Sequence, residues 1–236
     1  SFSEQVDVNE RTMLKRKANP ILRRPMLLTA LGTLVTCGYV QADDAWYGGV
    51  TLGLTNNGVS SVELDTGIVN GPASIDTDLG YTAGLVLGRE FGGRWRVEGE
   101  FRYRTNQLDS VDLPGGGRIT DGDYSSGALG VNGYYLFGDV GAKWRPFLGA
   151  GIAWMEEIDM DLEDDPINES YSGDGTAWQL MGGMSWNVSS RWSIDFEARY
   201  LDAGSISMDA ENDASTGRIK ADYNLFEVTA EATYRF

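Results

Sequence analysis

The sequence contains no histidine and a single cysteine. Without an imidazole, Ser-His-Asp catalysis and His-ligated zinc are excluded. One thiol cannot close an intrachain disulfide, so cysteine usage leaves the redox compartment open. Lysine is almost absent after residue 42, where only Lys143 and Lys220 occur, one in an expected turn and one at a loop end. A Ser–Lys mechanism therefore has little to draw on, and no enzymatic activity is expected. Long apolar runs are equally scarce. One extends from Met26 to about Val40, preceded by Lys15, Arg16, Lys17, Arg23 and Arg24 and followed by Val40-Gln41-Ala42. Basic, then apolar, then small residues is the layout of a secretory signal peptide. Its roughly 15 apolar residues fall short of the ~20 that a helical span needs. Residues 13–42 are expected to be a signal cleaved after Ala42, residues 1–12 to be missing from the mature protein, and residues 43–236 to form the folded domain.

Positive charge is depleted in that domain. The first 42 residues hold six of the 19 Lys and Arg and three of the 35 Asp and Glu, leaving 13 basic against 32 acidic residues, a net −19. Such a surface repels nucleic acid.

What remains is alternation. Helical periodicity is scarce after Ala42, and segments of 10 to 15 residues follow the strand period with glycine and aromatics interspersed. Eight strands are expected, at about 46–55, 79–91, 95–107, 123–137, 144–156, 176–187, 192–203 and 221–236. Connections at 92–94, 138–143 and 188–191 are tight, whereas those at 56–78, 108–122, 157–175 and 204–220 are long and rich in Asp, Gly, Ser and Asn. An even strand number with short turns at one end and long loops at the other suits an eight-stranded antiparallel up-and-down transmembrane β-barrel.

The faces agree. Trp95, Val97, Phe101 and Tyr103 alternate with Arg96, Glu98, Glu100, Arg102 and Arg104; Trp192, Ile194 and Phe196 alternate with Ser193, Asp195, Glu197 and Arg199. Aromatics cluster at strand ends. Trp46, Phe91, Trp95, Phe137, Trp144, Trp186, Trp192, Tyr234 and Phe236 fall near the short turns, and Tyr81, Tyr103, Tyr124, Trp154, Trp178, Tyr200 and Tyr223 near the long loops. Two aromatic girdles around an aliphatic band match a bilayer and its interfaces, whereas a soluble core would concentrate large rings at strand centres.

The stretch Ala177–Ile206 (AWQLMGGMSWNVSSRWSIDFEARYLDAGSI), the segment Arg145–Trp154 (RPFLGAGIAW) and the terminal TYRF resemble the opacity-type outer-membrane β-barrel family, related in form to the OmpA transmembrane domain and to porin family proteins. The resemblance covers essentially residues 43–236. It implies a Gram-negative outer-membrane protein with both termini periplasmic, in contact with outer-membrane lipid and lipopolysaccharide. Tyr234 and terminal Phe236 resemble the signal by which the barrel assembly machinery recognises its substrates.

An eight-stranded barrel has an interior just wide enough to be filled by side chains. The inward set is expected to contain Glu90, Glu98, Glu100, Asp195, Glu197, Glu227 and Glu231 against Arg96, Arg102, Arg104, Arg145, Arg199 and Arg235. Arginine suits such a lattice because guanidinium pairs bidentately with carboxylate and stays charged. The set can serve as a polar plug or as a narrow, gated conduit. Glu98 and Glu100, on one face, are also a carboxylate pair of the glycosidase kind, but neighbouring arginines are expected to hold both ionised. Among the long connections, Asp159, Asp161, Glu163 and Asp165 alternate, which would place them on one side of an extended strand projecting above the membrane, as a solvated acidic loop or a weak Ca²⁺ or Mg²⁺ site bridging to lipopolysaccharide phosphates. No other cofactor is expected. A monomeric, non-enzymatic structural and surface-interaction (adhesin-like) protein, a surface antigen whose acidic loops meet a host or environmental ligand, is the expected function; a passive channel for ions or small solutes is the alternative.

Overall fold

The computed structural model describes residues 44–57, 62–65, 70–112, 116, 118–119, 122–164, 167–210 and 217–236. The upstream residues 1–12, the signal segment and its cleavage point after Ala42 lie outside them. Among the described residues the strands are β1 (Ala45–Asn57), β2 (Val62–Asp65), β3 (Asn70–Thr77), β4 (Gly80–Phe91), β5 (Trp95–Asp112), β6 (Arg118–Ile119), β7 (Gly122–Leu136), β8 (Trp144–Asp164), β9 (Ile167–Asn187), β10 (Trp192–Ala210) and β11 (Arg218–Arg235).

Eight of them are the staves of a closed antiparallel barrel. β1, β4, β5, β7, β8, β9, β10 and β11 pair in that order. β11 returns to β1, from Tyr47 opposite Arg235 to Asn57 opposite Leu225. At the seam the Phe236 N–H donates to the Trp46 carbonyl at 3.0 Å. A closed sheet leaves no edge of unpaired backbone groups, which is what lipid demands of a β structure.

Among the described residues the long connections are largely strand, an outcome the sequence suggested only for the acidic run around Asp159 and otherwise read as loop. β8 and β9 continue as a hairpin to Asp164 and Ile167, and β10 and β11 extend to Ala210 and Arg218. Between β1 and β4 the chain forms the β2–β3 hairpin. β2 pairs with β11 at Val62–Ala221, and β3 pairs with β5 at Ser74–Asp112, so the hairpin takes the seats that β1 and β4 vacate.

β11 shows the pattern these extensions follow. From Arg218 to Thr233 its alternation never slips, yet both faces exchange chemistry midway. Ile219, Ala221, Tyr223 and Leu225 point inward and are buried, followed on the same face by Glu227, Thr229, Glu231 and Thr233. Outward, Arg218, Lys220, Asp222 and Asn224 give way to Phe226, Val228, Ala230 and Ala232. Where water surrounds the barrel the strand is apolar inside and polar outside; where lipid surrounds it the order reverses. The outward apolar stretch from Phe226 to Tyr234 matches the roughly 9–11 residues of a tilted membrane strand. A bulge between Asp202 and Gly204 keeps β10 in the same scheme, turning Ile206 and Met208 inward after Leu201. Gly204 takes the left-handed conformation this requires (φ 64°), and its N–H donates to Asp202 Oδ1 at 2.8 Å.

Inside the extension lies an apolar core that includes Val62, Leu64, Met155, Ile158, Tyr171, Leu201, Ile206, Met208, Ile219, Tyr223 and Leu225. Tyr223, expected in the girdle near the long loops, is 2% exposed in this core instead. It shares the inward phase of Leu225 and Glu227, and its hydroxyl lies 3.2 Å from Ser126 Oγ. Tyr124 has no described side chain.

Small residues make the interior fit. A Cβ built on Gly88 would stand 2.3 Å from the Tyr47 ring, so the tyrosine lies flat on the glycine backbone. Gly88→Val is therefore expected to lower the urea midpoint of unfolding, and Tyr47→Ala in the same chain to restore a large part of the loss. A Gly88→Val barrel with the parent midpoint would show that the ring is not seated there.

Candidate functional site: the barrel lumen

Because the lipid-facing positions must be apolar, every other residue of each stave carries the polarity into the lumen. All thirteen charged residues expected there point inward, and all but the half-buried Arg235 are buried. They form layers along the axis.

At the short-turn end, Glu90 is ion-paired with several guanidinium groups and accepts hydrogen bonds from those of Arg145 and Arg235. Arg145 Nη1 lies 3.3 Å away, Arg235 Nη2 3.4 Å and Arg96 Nε 3.5 Å. Arg96 also reaches Asp195 at 2.5 Å, and Arg145 donates to the Gly93 carbonyl at 2.5 Å. The next layer is different. Glu98 receives the hydroxyls of Tyr47 (2.9 Å) and Tyr134 (3.4 Å), and Glu231 that of Thr51 (2.9 Å). No guanidinium comes within ion-pair distance of either, among the described residues. The sequence-based expectation that arginine neighbours both Glu98 and Glu100 thus fails for Glu98. Strand spacing places Glu98 and Arg96 on one face, but the Arg96 side chain is drawn toward Asp195 and Glu90.

Above lies the densest part. Glu100 joins Arg102 (2.9 Å) and Arg199, and it accepts from Gln179 at 3.0 Å. Arg199 also pairs with Glu197 at 2.9 Å. Glu227 takes a bidentate grip from Arg104 Nε (2.9 Å) and Nη2 (3.2 Å), with Arg102 at 3.5 Å. Asn106 then donates to the Thr55 and Asp78 carbonyls where β1 and β4 end, and the apolar core follows. Sequence reasoning missed Tyr47, Tyr134, Asn132 and Gln179. Tyr47 and Tyr134 occupy inward positions of strands assigned from their outward residues, and alternation alone would have found them.

The arrangement is a packed solid. Arg102, Arg104 and Arg199 are each 1% exposed and Glu227 is 0% exposed. A water-filled pore through this level would expose them. Beside the lattice lie a void of about 10 Å³, bordered by Glu98, Asp195, Glu197 and Glu231 together with Arg96, Tyr134 and Phe147, and a cavity of about 430 Å³ at the short-turn mouth.

Outside, the tryptophans named from sequence all belong to the outward face. Trp95, Trp144, Trp154, Trp178 and Trp192 are exposed; Trp46 and Trp186 are half-buried, Trp186 stacked on Trp144 at 5.3 Å. Tyr234 receives a hydrogen bond from Arg191 at 3.1 Å, and Phe236 is exposed at the seam. The acidic series is not assembled into a described site. Asp159, Asp161 and Glu163 are fixed only as positions along β8, and Asp165 lies outside the described residues.

Residues 28–236 match the family model for the outer membrane protein beta-barrel domain. Comparison with curated proteins finds no match. Among solved structures, the outer membrane protein OprG from Pseudomonas aeruginosa is 16% identical, with 83% of this chain and 97% of that one aligned and a TM-score of 0.64. Neisserial surface protein A is 14% identical over 81% of this chain and 97% of its own, at 0.48. The outer membrane protease OmpT from Escherichia coli is 12% identical over 83% and 98%, at 0.37. At 16% identity the likeness to OprG is one of fold.

A buried carboxylate that loses its partner keeps the desolvation penalty and forfeits the attraction. Arg102→Leu, which withdraws a cation from Glu100 and Glu227, is expected to destabilise the barrel by about 3–5 kcal/mol. Coincident denaturation curves for variant and parent would show that Arg102 meets water.

Proposed function

The chain belongs to the outer membrane protein β-barrel family, and from that premise we propose a non-enzymatic, monomeric protein that stiffens the envelope and presents an acidic surface to external partners. Both termini then lie in the periplasm and the long hairpins project outward. The observation that carries this reading is the occluded axis: an ion-pair lattice with Arg102, Arg104 and Arg199 1% exposed and Glu227 0% exposed, beneath an apolar core. A solute would have to break both. The lack of histidine supports a non-enzymatic role. Lipopolysaccharide and the assembly machinery, the latter through Tyr234 and Phe236, are the partners this role requires.

The competing reading is a narrow passive channel. It draws on the mouth cavity and on the small void between Arg96 and the carboxylates of Glu98, Asp195, Glu197 and Glu231. Planar bilayers separate the two. Refolded protein is expected to be electrically silent, and Arg102 or Glu98 substitutions to open conductance only where they also lower stability. Reproducible steps from the parent protein would favour the channel.

The acidic series Asp159, Asp161, Glu163 and Asp165 is proposed as a weak divalent site toward lipopolysaccharide phosphates. Added Ca²⁺ is expected to raise the thermal midpoint of the parent, and Asp159→Asn with Asp161→Asn to remove the rise. A parent protein indifferent to Ca²⁺ would end that proposal.

A further inference from the structure

The lumen is not electrically uniform along its axis. In the acid-rich layer Glu98 and Glu231 have hydroxyl partners and no guanidinium within ion-pair distance, among the described residues. The short-turn mouth has the opposite imbalance. Its cavity of about 430 Å³ is lined by Lys143, Arg145 and Arg235 against one carboxylate, Glu90. Glu90 is already shared among Arg96, Arg145 and Arg235. Lys143 is exposed at the cavity wall and has no ion pair among the described residues. In a chain of net charge −16, this is a concave site of the opposite sign. The volume falls within the range of small-molecule sites, about 300–1,000 Å³.

Neutral polar side chains line the same space. Ser189 lines the cavity, and its Oγ accepts the Arg191 and Trp192 backbone N–H groups at 3.3 and 3.0 Å. With its lone pairs so occupied, its hydroxyl hydrogen is left to donate elsewhere. Asn187 is held in place from both ends, its Nδ2 on the Ala142 carbonyl at 2.7 Å and its Oδ1 on Arg235 at 3.2 Å. Arg235 is thereby oriented by Asn187 and Glu90, with its side chain still 20% exposed.

We propose that the short-turn mouth is a binding site for a small polyanion bearing phosphate or carboxylate groups, held by Lys143, Arg235 and the Ser189 hydroxyl over the floor made by Arg145 and Glu90. Charge-assisted hydrogen bonds from an ammonium and a partly buried guanidinium are the strong contacts such a ligand needs. The negative field of the rest of the barrel repels anions from other surfaces and leaves this mouth selective for them. In the orientation proposed above the site opens to the periplasm, but binding in detergent micelles is independent of that orientation.

The test is calorimetric titration of the refolded barrel in zwitterionic micelles at low salt, with inorganic phosphate in one arm and citrate in the other. Saturable one-site binding of at least one anion is expected, weakened about tenfold by Lys143→Gln, the scale of one charge-assisted contact. Ser189→Ala should weaken it less, and Arg94→Gln, in a neighbouring turn and not on the cavity wall, should leave it unchanged. Lys143 is exposed, so its variant should unfold as the parent does and report binding alone. Tighter phosphate binding assigns a phosphoryl ligand and tighter citrate binding a polycarboxylate. Absence of saturable heat with both anions, or equal affinity in the parent and Lys143→Gln, overturns the proposal.

Discussion

The ion-pair lattice around Glu100 and Glu227 is the interaction on which the rest of the barrel depends. Lipid outside forces one face of every stave to be apolar, so the polar half of each alternation must go inward. Eight strands enclose too little space to hydrate those groups. The charges therefore have to satisfy one another, and they do so across distant strands: Glu100 on β5 with Arg199 on β10, Glu227 on β11 with Arg104 on β5. Removing either member leaves the other stranded in a site water cannot reach. The same lattice ties together parts of the chain more than a hundred residues apart, as Arg104 and Glu227 are, and so acts as a cross-brace on a wall otherwise joined only by neighbours.

Beyond the band the constraint reverses. Outside the long-hairpin end there is water, and the interior fills with apolar side chains such as Met155, Ile158, Leu201 and Ile219. Two kinds of core are stacked in one barrel, ionic below and hydrophobic above. Asn106 sits at the joint and bonds the backbone ends where β1 and β4 give way to the β2–β3 hairpin. A barrel stoppered in two different ways is better suited to rigidity and display than to passage, which is why the envelope role is preferred over the channel.

Much of this was legible in the sequence, and the failures share a cause. The staves within the band could be read because apolar and charged residues alternate strictly, as from Trp192 to Tyr200 and from Phe226 to Phe236. The inward charged set followed from the same alternation. The strand extensions did not, because their outward residues, such as Ser207 and Asp209 on β10 and Lys220 on β11, look like loop residues when lipid is assumed on that side. Tyr223 was misplaced for that reason: an aromatic near a strand end signals a girdle only if it shares the outward phase, and Tyr223 shares the phase of Glu227. The pairing within the lumen was hidden for a different reason. Spacing says which side chains face inward, while their partners depend on how the staves are staggered around the barrel. Arg96 thus turns to Asp195 and Glu90 instead of serving Glu98, and the acid-rich layer appears.

Solvent access to the lumen tests the closed, ion-paired interior most directly. After Ala42 the chain has no native cysteine, so single cysteines at Asn132, in the lattice, and Ser190, at the mouth, can be compared under a charged methanethiosulfonate reagent. The folded barrel should be labelled at 190 and remain unlabelled at 132 until denatured. Labelling at 132 at a rate approaching that at 190 would contradict a packed lumen and would mean that water and ions already pass between the charged layers.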